Sequence, residues 1–135
     1  LYNSFRDILM NRKIAEILYT GIFLIILDAI YLSFVYKWFN NIIVGIQGKS
    51  MIPRVFTTII CYFVLILGLW YFIIREHRPI ADAFLLGILV YSVYELTNIS
   101  TIRNWSPNFA LIDTLWGGTL FATVTYIVYR ITKNF

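Results

Sequence analysis

The sequence predicts an all-α membrane protein: a bundle of four transmembrane helices with both termini on the same side. Three observations predict it. Of 135 residues, 60% are hydrophobic and only 13% charged, and the mean hydropathy is +0.77. Soluble domains are nearer half apolar and a quarter charged. The apolar residues form long continuous runs, not the many short alternating segments of a membrane barrel. The breaks between the runs collect charges and prolines, as in Arg75-Glu76-His77-Arg78-Pro79. The length suits a single integral membrane domain over 1–135.

The elements follow in order. Residues 1–13 place Leu1, Phe5, Ile8 and Leu9 at helical spacing among Arg6, Asp7, Arg12 and Lys13. They read as an amphipathic entry, either a helix lying in the interface or a frayed terminus. The first spanning helix is expected over 14–36, close to the roughly 20 residues that cross a bilayer core. That run is long enough to span and lacks a small-residue cleavage site, so no cleavable signal is expected. Residues 37–50 read as an interfacial connection, because Asn40, Asn41, Gly45 and Gly48 break regularity. The second helix is expected over 51–74, with Pro53 tolerated in its first turn. It is the most uniformly apolar and carries no acid. The charged turn 75–79 is a clear boundary, and the third helix follows over 80–100. Ser106-Pro107 reads as a cap and first helical residue for a fourth helix over 107–131, closed by Arg130 and Lys133.

Net charge is +4 and the pI about 9.3. The basic residues sit at the ends of apolar runs, where they anchor helices and meet anionic headgroups. No basic run is interleaved with aromatics, so nucleic acid is not an expected partner. The lipid bilayer is, together with other membrane subunits or further copies of the chain. The side of the termini collects Arg6, Arg12, Lys13, Arg75, Arg78, Arg130 and Lys133; the other has Lys37, Lys49, Arg54 and Arg103. That excess places the termini in the cytoplasm. The single Cys61 excludes an internal disulfide and reads as a small core residue. His77, the single histidine, reads as solvated. Asp82 complements a helix dipole, Glu16 reads as an ion pair with Arg12 or Lys13, and Trp38, Trp70 and Trp105 fit interfacial belts.

Three acids interrupt segments otherwise fit for hydrocarbon. By the helical rise, Glu95 lies about 7 Å below the boundary opposite the termini, Asp113 about 9 Å and Asp28 about 12 Å. Each has companions on its own helical face: Tyr91 and Asn98 with Glu95, Trp116 and Gly117 with Asp113, Tyr31 with Asp28. An acid at bilayer depth costs a few kcal/mol or more, so all three should face the bundle interior. Arg54 and Arg103 are the expected countercharges at the same rim. Gly117 should let a neighbouring helix approach closely.

The polar positions also carry a resemblance. Leu27-Asp28-x-x-Tyr31-Leu32, Tyr91-x-x-Tyr94-Glu95-Leu96-Thr97-Asn98-x-x-Thr101, Trp105, and Asp113-x-x-Trp116-Gly117 resemble a family of small four-helix predicted membrane proteins of unknown function. That family occurs in bacteria, with relatives in some large DNA viruses. It usually has aspartate where this chain has Glu95, and tryptophan where it has Tyr31. The resemblance implies the four-helix fold and the polar site, and no activity.

Two functional readings stand side by side. In one, Asp28, Glu95, Asn98 and Asp113 bind or transport a small cation, a proton or a lipid headgroup; carboxylate and amide oxygens suit hard cations. In the other, the cluster fastens helices in a structural subunit of a larger membrane or viral assembly. A lipid-modifying enzyme using an acid pair is the least supported, because no histidine, serine or cysteine in the site has a nucleophile signature. No cofactor is called for.

Overall fold

The computed structural model describes residues 1–134; Phe135 lies outside them. Four helices follow one another: α1 (Tyr2–Gln47), α2 (Val55–Leu69), α3 (Ile80–Thr101) and α4 (Pro107–Ile131). A π-helical turn, Trp70–Ile74, continues α2 without a break. α1, α3, α4, and α2 together with its π turn are each long and apolar enough to cross a membrane.

The first fifty residues differ from the expected division into entry, helix and connection. They form one helix of 46 residues, about 69 Å long at 1.5 Å per residue. That is twice the roughly 30 Å of a hydrocarbon core. Asn40, Asn41 and Gly45 do not break it. Their helix propensities cost at most about 1 kcal/mol each, while Phe39, Ile42 and Ile43 pack against buried Trp105 and Phe109. Tertiary packing overrides local preference. The helix stops at Gly48, whose left-handed φ of 75° returns its N–H to the Val44 carbonyl, a turn that favours glycine.

The start of α2 also differs. Residues 50–54 are not helical, and Arg54, with extended φ/ψ, occupies the N-cap position. Pro53 therefore precedes the helix instead of opening it. The Met51 N–H donates to Asn40 Oδ1 at 2.9 Å, which ties the connection back to α1. At the start of α4, Ser106 Oγ accepts from the Phe109 N–H at 3.1 Å, with Pro107 next in sequence. Proline fits there because the first helical N–H has no intrahelical partner to lose.

The helices are laid out so that α4 lies between α3 and α1, and α1 packs in turn against α2 and its π turn. The α3–α4 contact is the most intimate. A methyl group on Gly87 would overlap the Gly117 carbonyl and stand 2.8 Å from the Gly118 Cα. The Tyr91 ring fills the space a side chain at Gly117 would need. Small residues at such a crossing let two backbones touch, which is how helices gain packing energy in lipid.

Buried apolar side chains form two clusters. The larger holds Leu24 of α1, Leu69, Ile73 and Ile74, Ala83 of α3, and Leu120, Phe121, Val124 and Val128 of α4. The smaller holds Trp105, Phe109 and Ala110. The outer surface is apolar as well: Phe34 is 83% exposed and Phe56 76%, an arrangement suited to acyl chains. Cys61, expected in the core, is exposed on α2. α2 carries few buried residues, so most of its side chains face outward.

Candidate functional site

The space between the two apolar clusters is polar. On α1, Asp28 and Tyr31 fall between Leu24 of the larger cluster and Val35 beside the smaller. On α4, Asp113 and Trp116 fall between Ala110 and Leu120. On α3, Glu95 comes after Tyr91 and before Ile102. Asp28, Glu95 and Asp113 are all buried, Glu95 almost completely at 1% exposure. Carboxyl groups in this setting need hydrogen-bond partners or a proton, because an isolated buried charge is prohibitively costly.

The partners are aromatic. Asp28 accepts from the Tyr62 hydroxyl of α2 through Oδ2 and from the Trp116 indole of α4 through Oδ1 at 2.9 Å. It thereby joins three helices. Asp113 Oδ1 accepts from the Tyr31 hydroxyl at 3.1 Å. Glu95 Oε2 accepts from the Trp105 indole at 2.8 Å. Tyrosine and tryptophan combine an apolar body with one polar donor, so they can satisfy a carboxylate without bringing a second charge into the layer.

Among the described residues no group of three or more acid, histidine or cysteine side chains is arranged to hold a metal ion. Asp28 is held by its own two donors. Glu95 and Asp113 are neighbours across the α3–α4 interface. Glu95 Oε1 is buried and has no donor among the described residues. The two sub-sites are linked by Tyr31 and Trp116, whose rings stack with centroids 4.7 Å apart and planes 14° from parallel.

Other expected participants lie elsewhere. Arg54 and Arg103 are exposed, and the ion pairs among the described residues are Arg12–Glu16, Arg75–Glu76 and Arg78–Asp82. The rim arginines are therefore not countercharges to the three acids: bringing a guanidinium into the layer would cost more desolvation than an indole or phenol. Asn98 is half-buried beside Tyr94, one turn earlier on α3, and makes no hydrogen bond to the acids. Tyr91 packs on Gly117 and edge-on to Phe121, and its hydroxyl bonds no acid.

Two donors went unassigned in the sequence. Tyr62 is a phenol inside the mostly apolar run of α2, and its hydroxyl, deep in that run, was the available signal. Trp105 fits an interfacial belt by position, yet it is 6% exposed and turned inward onto Glu95. Glu16 likewise has more than its ion pair. It is buried, and its Oε1 accepts from the Trp70 indole at 3.2 Å.

A family model described as "Predicted membrane protein (DUF2177)" matches residues 13–130, and the chain belongs to that family. The match takes in α2 and α3 whole, α1 from residue 13 and α4 to residue 130, and every residue of the polar layer. No curated protein and no solved structure matches the chain significantly.

Proposed function

We propose that this membrane protein binds and exchanges a proton at the Glu95–Asp113 pair. The observation that carries the reading is a buried carboxyl pair in which Glu95 Oε1 has no donor. Two bare carboxylates in such close company repel each other by several kcal/mol, on the order of what Coulomb's law gives for neighbouring charges near a protein interior. One proton shared between them removes the repulsion and supplies the missing hydrogen bond, as in other like-charge pairs. Trp105 and Tyr31 then hold the two carboxyls in place from either side. A proton suits this geometry better than a metal cation, which would call for three or more converging oxygen ligands. With the termini in the cytoplasm, the pair sits toward the opposite face.

The test is infrared spectroscopy of the reconstituted protein, paired with a pH-sensitive dye inside the vesicles. The expected result is a protonated carboxylic acid band that disappears in both Glu95→Gln and Asp113→Asn, with proton release on alkalinisation reduced in parallel. A band unchanged in both variants overturns the proposal.

A second reading is favoured by a separate observation. Each oxygen of Asp28 already accepts a donor, from Tyr62 and from Trp116, which ties α1, α2 and α4 together. That acid fastens helices, as expected of a structural subunit in a larger membrane assembly, bacterial or viral. Co-purification with a fixed partner, and loss of that partner from Asp28→Ala but not from Glu95→Gln, is the result this reading requires.

A further inference from the structure

The opposite end of the bundle carries a second constellation. The π turn changes the phase of α2, so that the Arg75 N–H reaches back to the Trp70 carbonyl at 2.7 Å. Two residues later His77 takes a left-handed φ of 53°, a conformation uncommon outside glycine and costly for most side chains. The reward is contact with α4. The His77 ring stacks on Tyr129, centroids 4.1 Å apart. The Tyr129 hydroxyl donates to the Arg78 carbonyl at 2.7 Å and lies 3.3 Å from that of Ile73. The turn is thus locked against the last two helical turns of the chain.

This lock shapes two adjoining clefts that share Arg12 and His77. One, about 430 Å³, is further lined by Tyr126, Tyr129, Arg130 and Lys133. The other, about 190 Å³, is lined also by Lys13, Glu16 and Arg75. Among the described residues Glu16 is the only acid lining either, and it already accepts from Trp70 and pairs with Arg12. Glu76 and Asp82 are paired with Arg75 and Arg78. Lys13, Arg130 and Lys133 are in no ion pair among the described residues. The larger cleft therefore joins Arg12, two cations with no ion-pair partner among the described residues (Arg130 and Lys133), two phenol rings and an imidazole at the end of a membrane-spanning bundle.

We propose that the larger cleft is a phosphate-binding site, and that the phosphate it takes belongs to an anionic phospholipid headgroup. Cations with hydrogen-bond donors are the chemistry that recognises phosphate oxygens. Basic pockets between membrane helices at the headgroup level suit anionic lipids. Tyr126, half-exposed on the outer face of α4, leaves the cleft open toward lipid, where the acyl chains would continue along the bundle. General attraction of basic residues to an anionic surface would not require the His77–Tyr129 lock; a defined site does.

The experiment uses the full chain purified in a mild detergent. Retained phosphatidylglycerol and phosphatidylcholine are counted by native mass spectrometry. The expected result is preferential retention of phosphatidylglycerol. It falls roughly thirtyfold in Arg130→Gln/Lys133→Gln, the sum for two basic side chains near an anionic headgroup. It is unchanged in Arg6→Gln, since Arg6 lies at the same end but lines neither cleft. Tyr129→Phe keeps the charge and releases the turn, and it should also lose the preference. Equal loss in Arg6→Gln, or equal retention of both lipids, overturns the site. Displacement of the lipid by millimolar inorganic phosphate overturns the lipid assignment.

Discussion

Tyr31 of α1 and Trp116 of α4 stack face to face, and each reaches past the other to an acid on the opposite helix. The Tyr31 hydroxyl donates to Asp113 of α4, and the Trp116 indole donates to Asp28 of α1. On each helix the acid and the aromatic are three residues apart, on one face. The result is a reciprocal brace, in which each helix supplies one donor and one acceptor. It explains how two buried carboxylates can stabilise an interface in lipid without an arginine.

A brace of this kind should be cooperative. Trp116→Phe keeps a stacking ring and removes the N–H; Tyr31→Phe removes the hydroxyl. Each should cost about 0.6 to 1.7 kcal/mol, the range for interhelical hydrogen bonds in membranes. The double variant should depart from additivity by about 0.5 kcal/mol or more, because the two residues touch. Unfolding titrations in mixed detergent micelles measure both quantities. Strict additivity would contradict the brace.

The glycines divide sharply. Gly87→Ala drives a methyl group into the α4 backbone, and neither helix can move without losing the interface. Overpacking of about 1 to 3 kcal/mol is expected. Gly68→Ala meets nothing within 4 Å and gains helix propensity, so stability should hold or rise by up to about 1 kcal/mol. Circular dichroism melts of the two variants should move in opposite directions.

Trp105→Phe isolates the indole bond from the packing. The ring can still meet Phe39 and Phe109 edge-on, but Glu95 Oε2 loses its donor. An unsatisfied buried group costs about 1 to 3 kcal/mol. Combining Trp105→Phe with Glu95→Leu should recover part of that loss, since no carboxyl is then left unpaired. Failure of the double variant to recover any stability would show that Trp105 acts through its shape.

Cys61 faces outward from α2, so Cys61→Ala should change stability by no more than about 0.5 kcal/mol. The same substitution in a packed core would cost more. A melt within error of the parent protein is the expected outcome.

Composition and periodicity were enough to decide the class. A chain this apolar must place its surface in lipid, and runs of this length can satisfy their backbone there only as helices. The acids were legible for the same reason: hydrocarbon makes a buried carboxylate conspicuous. The continuity of α1 through Asn40, Asn41 and Gly45 was not legible, because weak local propensities yield to side chains packing from a loop far along the chain. Nor were the partners of the acids. An arginine at the rim and a tyrosine in an aliphatic helix look alike as donors in sequence, and the choice depends on which side chain the helix packing turns inward. So the sequence by itself determined that four helices span and that three carboxylates lie buried within them. Only the tertiary structure decided that Asp28 meets Tyr62 and Trp116, that Glu95 and Asp113 face each other across α3 and α4, and that phenols and indoles hold the acids, because those outcomes depend on angles and separations between helices that no single helix encodes.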